Sequence, residues 1–201
     1  MEVTAMKKKW IAAIAMILAA AFILSACGSK GGNPGSSAAG DTSDSGKPVA
    51  LETYDVGKFT VGLPAGWNAF PQEDIFGDKD ENGKYPISTE SIVLGKGAED
   101  EWSALSGPMV RIYYYDPDAY LMDSRGFYED IQELEGVTVG GVACEAFQGT
   151  NLGYSYQFVT YITEDAQYEF NILVSTENES TGISWDDPEV LAIMESVTAK
   201  K

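Results

Sequence analysis

YSYQFVTYITEDAQYEFNILVS, residues 154–175, is the stretch that decides the fold. Tyr156, Phe158 and Ile162 precede a polar break at Thr163-Glu164-Asp165, and Tyr168, Phe170, Ile172 and Val174 follow it, each set recurring at every second position. A period of two puts alternate side chains on opposite faces of an extended chain, whereas a helix would repeat every 3.6 residues. Aromatic and β-branched residues are also those that pack well on a pleated surface. Tyr154–Thr163 and Gln167–Ser175 therefore read as an antiparallel hairpin, and their apolar content makes them the central strands.

Outward from this hairpin the same signal returns. Lys58–Leu63 alternates with apolar residues at odd positions and stops at Pro64, as a strand with one buried face does. Pro64-Ala65-Gly66-Trp67 is a turn into a second extended piece ending near Phe70. Ser91–Leu94 and Met109–Tyr115 are further strands, the second closed by Asp116-Pro117. Val137–Val139 and Val142–Phe147 flank Gly140-Gly141, a hairpin signal. Two helices are expected. One runs from about Ser124 to Leu134, with Phe127, Tyr128, Ile131 and Leu134 on one face. The other starts at Asp186 or Asp187 as N-cap, takes Pro188 into its first turn and aligns Val190, Leu191, Met194 and Val197. Strands outnumber helices, which predicts an α+β fold: a mostly antiparallel sheet flanked by helices, in one globular domain over residues 51–201.

The N-terminal fifty residues have a different character. Lys7, Lys8 and Lys9 precede fourteen apolar residues, Ile11–Leu24, a run short of the roughly 20 that a membrane-crossing helix needs. The pattern is that of a signal peptide over residues 1–26, with Met6 as a candidate start. It ends in Leu24-Ser25-Ala26-Cys27-Gly28, which resembles the lipobox of bacterial lipoproteins. The resemblance implies cleavage before Cys27 and lipid on its sulfur, and two or three acyl chains anchor a protein firmly where one does not. From Gly28 to about Ala50 no large apolar residue occurs, so residues 27–50 are read as the lipidated cysteine and a linker. Phe59-Thr60-Val61-Gly62-Leu63-Pro64-Ala65-Gly66-Trp67 and Ile193-Met194-Glu195-Ser196-Val197 resemble small bacterial lipoproteins with a PsbP- or Mog1-like domain. That likeness implies an α/β/α sandwich. PsbP supports ion retention in photosystem II and Mog1 binds a small GTPase, and a fold-level likeness carries over neither role.

Charge and composition narrow the chemistry. The 201 residues carry a formal charge of −18, and removing Met1–Ala26 leaves 10 basic and 30 acidic residues. Such a chain is repelled by nucleic acid, which is excluded as a partner, and by anionic headgroups, so membrane attachment falls to the lipid on Cys27. No histidine is present, which removes Ser-His-Asp chemistry and the commonest zinc ligand. With Cys27 lipidated, Cys144 has no disulfide partner; it reads as a small core residue beside Val142 and Ala146.

Asp78-Lys79-Asp80-Glu81-Asn82-Gly83 matches the first half of a calcium loop, with Asp78, Asp80 and Asn82 as candidate ligands. The twelfth position is Thr89 rather than a bidentate Glu, and the same residues are those of a polar turn. Tyr113, Tyr114, Tyr115, Tyr154, Tyr156, Tyr161 and Tyr168 offer either a stacking face for glycans or peptides or ordinary sheet packing. Trp67 is expected in the core and Trp102 at the periphery. Asn178-Glu179-Ser180 has the form of a glycosylation acceptor that a bacterial lipoprotein does not use. The expected function is a non-catalytic binding or accessory module, lipid-anchored on the extracytoplasmic face of the cell membrane, with an envelope protein or glycan as partner and no required cofactor. The alternatives are a weak calcium-binding envelope protein and a carboxylate-dependent hydrolase of cell-wall glycans.

Overall fold

Sheet pairing follows the period-two segments closely. In the computed structural model, which describes residues 48–177 and 179–201, the strands are β1 (Leu51–Asp55), β2 (Phe59–Pro64), β3 (Trp67–Glu73), β4 (Ile87–Lys96), β5 (Met109–Tyr115), β6 (Glu129–Glu133), β7 (Thr138–Val139), β8 (Val142–Ala143), β9 (Glu145–Asn151), β10 (Tyr154–Ile162), β11 (Gln167–Ser175) and β12 (Thr198–Ala199). Helices α1 (Glu101–Leu105) and α2 (Pro188–Ser196) complete the set. Seven strands form the main sheet in the order β3-β4-β5-β11-β10-β9-β6; β1-β2-β12 form a second sheet and β7-β8 a two-stranded hairpin. Every pairing is antiparallel. The fold is α+β and mostly antiparallel, as expected. The signal peptide, Cys27 and most of the linker lie outside the described residues, as does Asn178.

The main sheet has two unlike faces. On the inner one Ile92, Leu94, Val110, Ile112, Tyr168, Phe170, Ile172 and Val159 are buried beneath Phe59 and Val61 of β2 and Val190, Ile193 and Met194 of α2. Fully burying an apolar side chain of this size contributes about 1.5–3 kcal/mol, so this layer dominates stability. Asp187 caps α2 by accepting from the amides of Glu189 and Val190, and Pro188 stands where no amide donor is needed. The helix is pinned to the sheet by Glu189, whose Oε2 accepts from Trp67 Nε1 at 2.8 Å and pairs with Lys96 Nζ at 2.8 Å.

The outer face carries a smaller core: Val93, Met109 and Leu173 with Ala98 and Ala104. Helix α1 lies against this face near β4, capped reciprocally by Asp100 and Ser103. The central hairpin serves both faces. Register places Phe158 opposite Asn171 and Val159 opposite Phe170. Tyr156 and Phe158 therefore project outward while Tyr168, Phe170 and Ile172 project inward, where Gln157, Val159 and Tyr161 are their neighbours on β10. Phe158 is nonetheless buried, stacked on Phe147 at 4.5 Å between ring centroids and against Tyr128 at 4.7 Å.

One expected helix does not form. Residues 124–127 make a single 3-10 turn, and Glu129–Glu133 is an edge strand on β9 instead. The 3.6-residue spacing of Phe127, Tyr128, Ile131 and Leu134 is overridden by pairing to β9. Gly149 makes the close approach possible, since a Cβ there would meet Tyr128 Cβ and Ile131 Cδ1 at 2.8 Å. Asp130 adopts φ 51° within a break in register, which bends the strand. Helix α1 spans five residues with Ala104 alone buried, too short for an apolar stripe to mark it in the sequence.

The Gly140-Gly141 pair does make the expected turn, with φ of 56° and 81°, between β7 and β8. Val142 on β8 is exposed, Cys144 half-buried and Ala146 buried, so the alternation read through them holds only in part. Trp67 is buried and Trp102 exposed, as the sequence suggests.

Candidate functional site

The seven tyrosines divide by strand register. Tyr114, Tyr161 and Tyr168 belong to the inner core, Tyr114 and Tyr168 packing edge-on at 5.8 Å. Tyr113, Tyr115, Tyr154 and Tyr156 belong to the outer face, because β5 and β10 alternate and these positions have the opposite parity to Tyr114 and Tyr161. Three clefts open on that face, with volumes of about 340, 510 and 450 Å³. This is the size range in which small-molecule sites begin.

The first cleft lies over β5, β10 and β11. Met109, Tyr154, Tyr156 and Tyr128 supply its apolar and aromatic walls, with Leu105 and Leu152 at the rim; Arg111, Asn151 and Asn171 supply polarity. Arg111 and Asn171 sit directly opposite each other across the β5–β11 ladder. Arg111 Nε and Asn171 Oδ1 are both buried without a hydrogen-bond partner. Arg111 Nη1 reaches only the Tyr113 hydroxyl, at 3.4 Å. Burial pushes the Tyr156 and Tyr128 hydroxyls above the usual phenol range, so both stay protonated donors at neutral pH.

The second cleft is closed on one side by the 3-10 turn. Arg125 holds that turn down: its Nε and Nη2 donate to the two oxygens of Glu133 at 2.9 and 3.0 Å, Nη1 donates to Asp123, and the guanidinium lies over the Phe147 ring at 4.7 Å. Glu169 lines this cleft and accepts from Ser124 Oγ at 3.3 Å. Burial raises its carboxyl above the usual range, only partly offset by hydrogen bonds from Ser124 and Asn171. The third cleft joins Arg111, Tyr113 and Tyr115 to the loop holding Ile75 and Phe76. Burial and the nearby Glu169 charge push Tyr115 up to about 12.

Exposed apolar side chains gather around these openings. Phe76 is 95% exposed and Leu152 86%, and Ile75, Met122 and Ile162 stand with them at the cleft margins. Exposed apolar side chains gathered about concave openings are a usual signature of an interaction surface.

The calcium half-motif is placed on the β3–β4 loop. Asp80 Oδ1 accepts from the amides of Asn82 and Lys84, both at 2.8 Å, and the loop closes on itself through Gly83 N–H to Asp80 O. Those backbone bonds, chiefly from Lys84, hold the Asp80 carboxyl below its usual range. One oxygen of the carboxylate, Oδ1, is thus engaged in its own turn. Among the described residues no group of three or more His, Cys, Asp or Glu is arranged to hold a metal ion. Cys144 is half-buried with its thiol raised by burial, the wrong direction for a nucleophile. Arg111, the most distinctive residue of the outer face, carried no sequence signal beyond being a cation at an inward-outward alternating position of an apolar strand.

Comparison with protein-family models finds no match, and comparison with curated proteins finds none either. Among solved structures the chain is similar to a crystal structure of a protein from Bacteroides thetaiotaomicron VPI-5482, with 14% identity and a TM-score of 0.41 over 75% of this chain and 49% of that one. It thus spans about half the length of that protein. It is also similar to the solution structure of cyanobacterial PsbP (CyanoP) from Synechocystis sp. PCC 6803, with 12% identity and a TM-score of 0.39 over 80% of this chain and 98% of that one.

Proposed function

We propose that this chain is a lipid-anchored, extracytoplasmic binding module that presents the outer face of its seven-stranded sheet to an envelope component and performs no catalysis. The observation that carries this reading is the asymmetry of the main sheet. Its inner face is sealed by the second sheet and α2, while its outer face holds three clefts, two of them with tyrosine walls, and exposed apolar side chains at their margins. Anchoring supports it: a lipid on Cys27 followed by a linker would hold the domain close to the membrane, where effective concentration makes even weak contacts productive. The lack of histidine, and the engagement of Asp80 Oδ1 in its own turn, favour binding over hydrolysis or metal chemistry.

Site-specific photo-cross-linking in intact cells tests the reading. A photoreactive residue at Phe76 or Leu152 should trap a discrete envelope component, whereas one at Glu52 on β1 should trap none. Equal trapping from both sides, or none from either, would remove the outer face as the binding surface.

A further inference from the structure

We propose that the cleft around Arg111 binds a small monoanionic carboxylate bearing an aromatic or apolar body. The inference rests on the outer-face reading and names a ligand class for it. The argument begins with charge. In a chain of formal charge −18, Arg111 is the only charged side chain lining this 340 Å³ opening. The other half-buried cations among the described residues, Lys58 and Arg125, are each paired with carboxylates, at 2.9 Å to Glu90 and Glu133 respectively. Arg111 has no carboxylate partner there, and its Nε is buried without an acceptor.

A buried guanidinium donor left unmatched costs stability, and it is retained where something else supplies the acceptor. Arginine's planar fork matches the two oxygens of a carboxylate. One cation can neutralise one charge, and the net negative charge of the chain repels polyanions, so a monoanion fits where a polyphosphate does not. Tyr154, Tyr156 and Met109 then offer surface for an apolar body, and the Asn151 and Asn171 amides offer further hydrogen bonds.

The chain has only two arginines, so the proton–nitrogen NMR spectrum of the labelled full-length protein in detergent contains two Nε–H signals. Titration with phenylacetate should shift the Arg111 signal saturably, with a Kd of about 1 mM or tighter, and leave that of Arg125 in place. The neutral phenylacetamide and inorganic phosphate should not reproduce it. Arg111→Gln should weaken binding at least about tenfold with spectral dispersion intact; if that variant does not fold, the comparison of acid with amide still decides. No saturable shift, an equal shift with phenylacetamide, or an equal shift with phosphate overturns the proposal. Should phenylacetate fail while cross-links from Phe76 and Leu152 persist, the ligand class is wrong and the binding face stands.

Discussion

Phe158→Ala probes the outer face where it is a core rather than a surface. Phe158 is 2% exposed, although it points away from the main core, and its ring is held between Phe147 and Tyr128. Truncating a buried phenylalanine costs about 3–5 kcal/mol. For a domain of this size each kcal/mol moves Tm by about 2–4 °C, which gives a fall of roughly 6–20 °C by calorimetry. Ile172→Ala, on the inner face, should cost about 2–5 kcal/mol. A double-mutant cycle between Phe158 and Phe147 should show coupling of about 0.5–1.5 kcal/mol, the contribution of a stacked pair beyond area alone. Phe76→Ala, at a fully solvated ring, should change stability by less than about 0.5 kcal/mol. Should Phe158→Ala cost no more than Phe76→Ala while Ile172→Ala is damaging, the outer face has no packed floor and the clefts on it lose their scaffold.

Three other outcomes are expected. Cys27→Ala should release the protein from the membrane fraction or leave it uncleaved; a variant still processed and equally membrane-bound would exclude lipid anchoring at this residue. The two glutamates on opposite faces should respond oppositely to pH. Desolvation opposes ionisation of Glu189, but Lys96 and Trp67 outweigh it and hold its carboxyl low, so its contribution is present above the unfolded value of 4.5 and is lost as pH falls through its folded value. Glu169 is raised by burial, so ionising it costs stability as pH climbs above 4.5. Glu189→Gln should therefore lower Tm at pH 7 and Glu169→Gln raise it, with both effects shrinking toward pH 3; shifts of the same sign at pH 7 would contradict the assigned environments. Finally, Asp80→Ala should lower Tm equally with and without calcium, because its carboxylate caps a turn, and a calcium-specific shift in the wild type that vanishes in Asp78→Ala/Asp80→Ala would establish the metal reading instead.

The strands were legible because their signal is local. Met109–Tyr115 coincides with β5, and the hairpin of β10 and β11 falls within a residue of its expected ends. Helix α2 was legible from Asp187 and Pro188, which act through backbone amides one turn away. Residues 124–134 were misread because an amphipathic stripe records only that one side is buried, and β9 with its Gly149 supplied that burial to a strand. The site was legible only as composition. Seven tyrosines could be counted, and alternation separates Tyr113 and Tyr115 from Tyr114, and Tyr154 and Tyr156 from Tyr161, but which set faces outward depends on pairing partners far along the chain. The lack of a carboxylate partner for Arg111 is a property of three strands together, and no spacing along one of them encodes it.

Carbene footprinting of the protein in its own envelope, compared with the purified protein, tests the central claim most directly. Labelling of Phe76, Leu152 and Tyr154 should fall in the envelope, while Leu51 on β1 and Tyr120, neither of which lines the three clefts, should label as they do in isolation. Unchanged labelling of Phe76, Leu152 and Tyr154, with protection confined to Leu51 and its surroundings, would show that the domain meets its partner through the opposite side.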